Sequence, residues 1–389
     1  MRSVIESPYD LSTYDYALPP DLIAQQPLPD RSAARLMLID RRTQTWSHHT
    51  IRDLPHLLQS GDVLVANNSR VIPARLRGFR TSTGGKWEGL FLRRDADGSW
   101  MLIGRTRGWL RRGETVTISK PGESEELILQ LQDRLADGVL RMRPSIIPAQ
   151  SPRTPGQKSA CDRQLAVAAG ELDVQGTVPQ EGQTWSLLER FGEVPLPNYI
   201  RGGQAEPHDR ERYQTVYAER PGSVAAPTAG LHFTPELIAA CRERHIAWQT
   251  VTLHVGLGTF RPVQHHDIRQ HIMHAEWCEM SEETAQTLWG AKQQGGRIVA
   301  VGTTSLRTLE TCVRASGWHG WRGEATLFIY PPYEFVAVDG LLTNFHLPRS
   351  TLLMLVCALA GTELTLNAYR AAIAERYRFY SYGDAMLIL

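Results

Sequence analysis

The sequence predicts an α/β protein with a second, β-rich domain, and three observations carry this prediction. The chain has 389 residues, more than one hydrophobic core usually serves, so we expect two domains. Residues 70–143 alternate short apolar segments with Gly, Pro or Asp at intervals of about ten residues, which is typical of a small antiparallel sandwich or barrel. After Phe191, helical and strand patterns alternate, which favours an α/β domain.

Local patterns predict the elements of the first half. Residues 53–59 predict a short helix, and the apolar run at 61–67 predicts a buried strand that ends in turn residues. Residues 144–185 are rich in Pro, Gln, Ser, Gly and Ala and predict a flexible insertion. In the β-rich segment we expect strands at 100–103, 114–118 and 127–131.

In the second half, capping residues mark where helices begin. Thr234 is a good N-cap residue and precedes Pro235, so a helix begins there and a strand at 246–254 follows. Ser281 begins another capped helix. We expect the later elements as a strand at 297–301, helices at 350–360 and 368–376, and a terminal strand at 386–389.

The composition is that of a soluble globular protein, with 42% hydrophobic and 21% charged residues. The apolar run at 352–360 is shorter than the roughly 20 residues of a membrane helix, and polar residues occupy the start where a signal peptide would be apolar. We therefore expect a cytoplasmic protein that does not enter a membrane. The five cysteines contain no Cys-x-x-Cys pair, which argues against disulfides and thiolate zinc sites.

Charge is concentrated in one segment, although the net charge of the whole chain is only +1. Residues 70–112 contain eleven Arg and Lys against three Asp and Glu, a net charge of +8, with Trp87, Trp100 and Trp109 among them. Arginine suits phosphate oxygens and stacks on bases, so this segment is a candidate RNA-binding surface. A solvated charged face is the alternative interpretation.

Two glycine-rich segments, 222–234 and 252–263, each carry one histidine, His232 and His254. Glycine permits positive φ and close approach of a ligand, and the prolines in both segments stiffen the turns. Together the segments indicate a rigid pocket, whereas each alone is also explained by ordinary turns and a structural histidine.

Two further motifs allow more than one interpretation. Residues 301–305, Val-Gly-Thr-Thr-Ser, join a strand to a helix N-terminus, which suits a carboxylate or phosphate but is also explained by simple capping. His271 and His274 have a spacing that could place them on one helix face, and with Glu276 they offer metal ligands. A metal-dependent hydrolase is therefore an alternative, and histidines that shape a pocket wall are another.

The chain resembles the S-adenosylmethionine:tRNA ribosyltransferase-isomerase family of queuosine biosynthesis. Matching motifs occur nearly from end to end: Tyr14-Asp-Tyr-Ala-Leu-Pro19, Asn68-Ser-Arg-Val-Ile-Pro-Ala-Arg-Leu76, Thr83-Gly-Gly-Lys86, Tyr213-Gln-Thr-Val-Tyr217, Gly222 to Thr234, Thr252 to Val263, Gly302-Thr-Thr304, Thr343-Asn-Phe-His-Leu-Pro348 and Ser381-Tyr-Gly-Asp-Ala-Met386.

The resemblance implies a fold and a division of the chain. It implies a large α/β domain with a mixed, barrel-like sheet, which carries an inserted small antiparallel β-barrel domain. On this basis we expect residues 1–68 and 186–389 to form the large domain. Residues 69–185 form the inserted domain, with the flexible segment at 144–185.

The resemblance also implies the activity and the partners. The family transfers the ribosyl moiety of S-adenosylmethionine to 7-aminomethyl-7-deazaguanine at the wobble position of tRNA and rearranges it to an epoxycyclopentane, releasing adenine and methionine. We expect no cofactor and no metal, since S-adenosylmethionine is a co-substrate. The expected partners are S-adenosylmethionine and the anticodon arm of tRNA, bound by a monomer.

This chemistry needs a base beside the sulfonium, a proton donor for adenine and a dry pocket. His232 and His254 are the first catalytic candidates because imidazole titrates near neutral pH; His346 and Asp384 are next. Arg70 follows a buried strand and is expected where the two domains join, a common place for clefts. The predicted substrate-binding residues are Arg70, Lys86, Tyr213, Gln214, Thr228, Gly230, Gly256, Gly258, Thr259, Gly302, Thr303, Thr304, Arg307 and Asn344.

The chain departs from the family pattern in two places. Asn67-Asn-Ser-Arg70 stands where the family usually has Asn-Asp-Thr-Arg, and Pro197-Asn-Tyr-Ile200 stands where it has Pro-Pro-Tyr-Ile. The missing aspartate places any proton-transfer role at position 68 in doubt. A non-catalytic tRNA-binding protein is the main alternative function.

Overall fold

A computed structural model describes residues 7–135, 138–149, 181–256 and 263–389. The chain forms two compact units, of which one comprises Met1–Val71 with Leu196–Leu389 and the other Ile72–Pro195. Most of the predicted flexible segment at 144–185 lies outside the described residues, as do the predicted site residues Gly258 and Thr259.

The strands run in chain order through both units. They are β1 Arg35–Asp40, β2 Thr45–Thr50, β3 Val63–Asn67, β4 Ser69–Val71, β5 Arg75–Arg80, β6 Lys86–Arg94, β7 Trp100–Thr106, β8 Thr115–Ile118, β9 Glu125–Arg134, β10 Leu140–Pro148, β11 Arg220–Ser223, β12 Ala247–Leu253, β13 Glu276–Met280, β14 Ile298–Val301, β15 Trp321–Ala325, β16 Gly340–Asn344 and β17 Ala385–Ile388. The α-helices are α1 Leu54–Leu57, α2 Glu181–Phe191, α3 Asp209–Arg212, α4 Pro235–Glu243, α5 Glu282–Gln293, α6 Thr303–Ser316, α7 Thr351–Ala360 and α8 Thr362–Ala374.

The larger unit is built on a nine-stranded mixed sheet in the order β15-β13-β12-β3-β14-β16-β17-β1-β2. Its four central strands, β12, β3, β14 and β16, are parallel to one another. Strands covered on both faces have continuous apolar sequences. Strands β3 and β14 are of this kind, since both are buried along their whole length. The predicted mixed α/β fold with a large mixed sheet is therefore confirmed.

The expectation of a barrel-like large sheet is wrong. Within the described residues the sheet is open, because its two edge strands, β2 and β15, each pair with one strand. Strand β2 has the sequence Thr-Trp-Ser-His-His-Thr and its first four residues are exposed. Exposed polar side chains at an edge suit contact with water rather than with a further strand.

Alternate residues of the central strands enter two separate cores. Val63 and Val65 join one apolar cluster, whereas Leu64 and Ala66 join the other. The first core is covered by α6, α7 and α8, whose apolar residues fill it. The second contains α4 residues such as Leu237. Helices thus cover both faces, and the edge at which the parallel strands end remains available for a site.

The smaller unit contains a separate antiparallel sheet. Its six strands close on themselves in the order β10-β7-β6-β5-β8-β9. Trp87, Phe91 and Trp100 are buried inside, with the last two rings edge to face at 5.1 Å. Strand β10 extends to Pro148, into the predicted flexible segment. Beyond Met142 the pairing shown by the described part of the chain is with β9 alone, and a strand paired on one side tolerates prolines.

One pair of helices matches a membrane span in length and composition. In the described ranges, no single helix is long and apolar enough to cross a membrane, but α7 and α8 together pass this test. They bend by 114° at the break between them, where Gly361 has a φ of 89°. Their apolar residues belong to the first core.

Candidate active site

A cavity of about 370 Å³ lies in the larger unit at the carboxyl ends of the parallel strands. Val255 follows β12, Gly302 follows β14, and Asn344 ends β16, and all three line the cavity. This is where open α/β sheets usually bind ligands. Six of the predicted site residues are brought together here with Tyr213: they are Thr228, Gly302, Thr303, Thr304, Asn344 and His346.

Two helices begin at this cavity. Gly302 precedes α6 with a φ of 91° and gives it no side-chain cap, so the first N–H groups of α6 are not capped by that residue. Ser350 caps α7 by accepting a hydrogen bond from the Leu353 N–H at 3.2 Å, and Ser350, Thr351 and Leu352 line the same cavity. The positive ends of both helices therefore favour a carboxylate or phosphate.

His346 is held rigidly in the cavity wall. Its Nε2 lies 2.8 Å from Thr343 Oγ1, and its backbone N–H donates to Tyr369 Oη at 2.9 Å. The Tyr16 hydroxyl donates to its carbonyl. Burial lowers the pKa of His346 to about 3, so the ring is neutral at pH 7. The side chain can accept or donate one hydrogen bond there but carries no charge.

Asn344 lies beside His346 and is only 2% exposed. Its Nδ2 donates to the Tyr380 carbonyl at 2.9 Å, whereas its Oδ1 has no hydrogen-bond partner among the described residues. The nearby His232 ring is the protein donor within reach of this oxygen, and a ligand donor is the alternative, because a buried amide oxygen without a partner is costly.

His232 lies in a narrow cleft beside the cavity, and Ser381 borders both spaces. The residue ends a 3-10 turn, Thr228–His232, and is 5% exposed. Burial lowers the pKa of His232 to about 4, and the nearby Asn344 side chain opposes this shift only in part. Within the described ranges, Nε2 has no hydrogen-bond partner of good geometry. A neutral imidazole with a free nitrogen can accept a proton.

The 3-10 turn depends on Gly230. A Cβ at this position would lie 2.0 Å from the Tyr217 hydroxyl, which no side chain can accommodate without movement. Tyr217 is in turn packed edge to face against Trp248 at 5.0 Å. Gly230 therefore has a packing role, and its proposed contact with substrate remains a prediction.

His254 lies outside the lining of the cavity. Its ring stacks on Trp277 at 5.2 Å with 18° between the planes. A Cβ on Gly222 would lie 2.8 Å from the same ring, so the glycine permits this close approach. Burial lowers the pKa of His254, with Arg220 acting in the same direction. Its Nδ1 has no partner in the described part of the chain. The two glycine-rich segments thus meet, as their composition indicates.

Several predicted site residues have their polar groups committed within the fold. Asp384 accepts the backbone N–H groups of Arg35 at 2.9 Å and Arg378 at 2.8 Å. Burial raises its pKa. Gln214 exchanges two hydrogen bonds with the Val71 backbone, at 3.0 and 3.1 Å. Tyr213 lines the cavity but is 1% exposed. The hydrogen bonds of Asp384 and Gln214 and the burial of Tyr213 give each of these residues a structural role.

Arg307 lies in α6 but not in the cavity lining. Its Nη1 donates to Glu276 Oε2 at 2.5 Å, and the two side chains are 6% and 3% exposed. The other carboxylate oxygen, Oε1, accepts the Gly256 N–H at 2.9 Å. This buried ion pair holds the end of the described segment that follows β12. The prediction that Arg307 contacts substrate has no support in this geometry.

The histidine cluster does not form the predicted arrangement. A 3-10 turn, Ile268–Gln270, ends before His271, and residues 271–275 have no regular structure, so no helix face carries both histidines. The His271 ring packs edge-on against Phe328, and the carboxylate of Glu276 binds Arg307. Among the described residues, no three His, Cys, Asp or Glu side chains are placed to hold a metal ion.

The remaining predicted residues are solvent-facing or at the edge of this region. Arg70 is exposed on β4, and Lys86 is exposed on β6 of the smaller unit. The Gly256 N–H donates to Glu276, the acidic partner of Arg307. Sequence reasoning missed Tyr199, Tyr380 and the start of α7, which line the cavity. For the start of α7, the signal in the sequence is the capping residue Ser350 before an apolar helix.

The two most buried histidines make stability depend on pH. The folded-state pKa of His346, about 3, lies below the value of 6.5 for an exposed histidine. Below pH 6.5 the unfolded chain therefore binds a proton at this histidine, whereas the folded chain does not until about pH 3. The free energy of unfolding falls as the pH drops through this range. Between pH 7 and pH 5 this costs about 2 kcal/mol per such histidine. Urea unfolding at both pH values should show a smaller loss for His346→Gln than for the unsubstituted protein; equal losses would contradict this assignment.

The fold and the cavity define an α/β protein with a binding site at the carboxyl edge of a mixed sheet. Residues 11–388 match the family described as "Queuosine biosynthesis protein". The chain belongs to this family.

Relatives match along nearly the whole chain. The S-adenosylmethionine:tRNA ribosyltransferase-isomerase of Moorella thermoacetica is 44% identical, over 97% of this chain and 99% of the relative. The protein of that name from Acidithiobacillus ferrooxidans is 46% identical over 96% of each. The crystal structure of an S-adenosylmethionine tRNA ribosyltransferase from Thermotoga maritima is 34% identical with a TM-score of 0.51, over 97% of this chain and 100% of its own.

Proposed function

We propose that the protein transfers the ribosyl moiety of S-adenosylmethionine to 7-aminomethyl-7-deazaguanine in the wobble position of tRNA and isomerises it to the epoxycyclopentane. The observation that carries this proposal is the end-to-end similarity, at 44–46% identity, to proteins named for this activity. A tRNA substrate would place the reaction in the cytoplasm. No cofactor is required in this reaction, and a monomer remains the expectation.

The cavity is the proposed donor site. The starts of α6 and α7 offer N–H groups and positive helix ends to the methionine carboxylate. Thr304 Oγ1 has no partner among the described residues and lies at the same edge, where it can bond a ribose hydroxyl or that carboxylate. Apolar residues such as Val255 and Phe345 form the rest of the wall and limit access of water to the opened sugar.

The neutral histidines are the proposed groups for proton transfer. His232 and His346, with pKa values of about 4 and 3, are neutral at pH 7, so each ring can accept the proton beside the sulfonium, as a weaker base than an ordinary imidazole. His254 stacks on Trp277 outside the cavity lining and remains the third candidate. Asp384, whose oxygens hold backbone N–H groups, supports the geometry of the neighbouring chain.

The proposed tRNA surface is on the smaller unit and includes only part of the charged segment 70–112. Arg75, Arg77 and Arg80 form ion pairs with glutamates. Trp109, in contrast, is 76% exposed, with the Arg134 guanidinium 4.9 Å from its ring centroid. Unpaired arginines near an exposed aromatic suit phosphate contact and base stacking. In the described stretch from Trp100 to Gly113, the exposed arginines are Arg105, Arg107, Arg111 and Arg112, and none of the ion pairs given above involves them.

The direct test is to incubate the purified protein with S-adenosylmethionine and tRNA that contains the aminomethyl-deazaguanine. Mass analysis of the digested nucleosides should show a ribose-derived gain on that base, matched by an equal amount of free adenine. If the folded protein binds tRNA and forms neither product, a non-catalytic tRNA-binding function replaces this proposal.

The arginine surface makes a separate prediction. Arg111→Ala with Arg112→Ala should weaken tRNA binding about tenfold at 0.15 M salt, because a protein that neutralises fewer phosphates releases fewer counterions when it binds. The slope of log K against log salt should fall by about 1 for each phosphate that is no longer neutralised.

A matched control is Arg42→Ala with Arg370→Ala, which removes the same charge from exposed positions of the larger unit. This pair should leave tRNA affinity nearly unchanged, and both pairs should bind S-adenosylmethionine normally. Equal weakening of tRNA binding by the two double variants would show that only net charge matters and would remove this surface from the proposal.

A further inference from the structure

Two tyrosines that no motif assigned to the site form one corner of the cavity. Tyr199 and Tyr380 both line it, and their ring centroids are 4.8 Å apart with 59° between the planes. We refer to this pair of rings as the aromatic corner. Two rings at such an angle present one face and one edge to a third flat ring, which is a favourable arrangement for aromatic contact.

Backbone hydrogen bonds hold Tyr380 in an uncommon conformation. Its φ is 69°, in the left-handed region that bulky residues rarely adopt. Its N–H donates to the Phe345 carbonyl at 3.2 Å, and its carbonyl accepts from Asn344 Nδ2 and from the Gly383 N–H, both at 2.9 Å. Residues kept in such conformations by their surroundings concentrate at functional sites. The contacts fix the direction in which the ring leaves the backbone.

Tyr199 is fixed by different contacts. Its hydroxyl shares a hydrogen bond with Ser381 Oγ at 2.7 Å, and its carbonyl accepts from Gln25 Nε2 at 2.8 Å. Burial raises the pKa of Tyr199 to about 12, so the phenol is neutral at pH 7. The aromatic corner is therefore rigid and uncharged before any ligand binds, which lowers the entropy cost of binding.

The two tyrosines of the Tyr213-Gln-Thr-Val-Tyr217 motif pack against other rings of the protein. Tyr213 packs edge to face against Tyr382 at 5.8 Å and is 1% exposed. Tyr217 contacts Trp248 and does not line the cavity. Phe345 does line it, but its ring is surrounded by core aromatics such as Phe379, 4.9 Å away. Tyr380 is 7% exposed and Tyr199 is partly buried, so this pair keeps more open surface than Tyr213 or Phe345.

We propose that the aromatic corner of Tyr199 and Tyr380 binds the flat purine-type ring of a substrate. This inference rests on the proposed function, which supplies two such rings: the adenine of the donor and the deazaguanine of the tRNA. Both have the same shape and stack on aromatic side chains. The starts of α6 and α7, which line the same cavity, are left for an anionic group of the substrate.

Equilibrium binding by calorimetry tests the proposal with two small probes, S-adenosylhomocysteine and free 7-aminomethyl-7-deazaguanine. Tyr380→Leu removes the ring and keeps an unbranched Cβ at the same φ, and Tyr199→Leu removes the other ring. Each should weaken binding of one probe on the order of tenfold, the usual effect of losing a base-stacking aromatic. Tyr380→Phe keeps the ring, and it should bind both probes as the unsubstituted protein does.

The outcomes separate the sources of the ring. Weaker binding of S-adenosylhomocysteine alone places adenine at the corner, and weaker binding of the deazaguanine alone places the tRNA base there; either result supports the proposal. Unchanged binding of both probes to both leucine variants, with normal thermal unfolding, overturns it and leaves the proposed function intact. If the unsubstituted protein binds neither probe, the corner is overturned as a preformed site for the ring, whereas the proposed function is decided by the product assay on tRNA.

Discussion

Arg307→Met is expected to lower the free energy of unfolding by about 3–5 kcal/mol, the usual result of removing one partner from a buried ion pair. Arg307 and Glu276 are 6% and 3% exposed. Without the guanidinium, the carboxylate keeps the Gly256 N–H but loses the opposite charge that compensates its burial. Urea unfolding at pH 7 measures the effect.

A double variant distinguishes this explanation from a role in binding. Arg307→Met combined with Glu276→Leu removes both charges and should recover much of the lost stability, because apolar pairs of similar volume often replace buried ion pairs. Loss of S-adenosylmethionine binding with unchanged stability would instead support the substrate contact predicted for Arg307 from sequence.

His232→Ala is expected to reduce turnover by a factor on the order of 100 to 10,000, the usual contribution of a general acid or base. The ring is buried, its pKa is lowered to about 4, and its Nε2 has no partner of good geometry in the described residues. It therefore remains a neutral proton acceptor at pH 7. Single-turnover adenine release measures the chemical step directly.

The control for this variant is His56→Ala, a change to an exposed histidine in α1, which should keep full activity. Far-UV circular dichroism of His232→Ala establishes that the fold survives. Full turnover by both His232→Ala and His254→Ala would remove the two histidines from the proposed chemistry and leave His346 as the remaining candidate base.

Local sequence predicted several elements of the larger unit. The buried strand expected at 61–67 is β3, and the helices expected after Thr234 and Ser281 are α4 and α5, each capped by that side chain. These elements depend on interactions within a few residues, namely capping hydrogen bonds and the periodicity of apolar side chains. The helix expected at 368–376 begins earlier, at Thr362, because Gly361 separates two helices that share one apolar pattern.

The site was predicted in part. Gly302, Thr303 and Thr304 line the cavity because a strand that leads into a helix places its loop at the carboxyl edge of a parallel sheet. Asn344 and His346 follow the neighbouring strand and reach the same edge. The strand order that brings these two loops together is set by pairing between strands far apart in the chain, which local patterns do not contain.

By itself, the sequence determined several strands and helices, the glycine-rich turns, the charged segment and the family. Only the tertiary structure decided which polar groups are already used and which are free. Arg307 is bound to Glu276, and Gln214 to the Val71 backbone, whereas Tyr199 and Tyr380 face the cavity. The physical reason is that burial, pKa shifts and hydrogen-bond partners depend on residues distant in the chain. A sequence motif contains only residues that are close to one another in the chain.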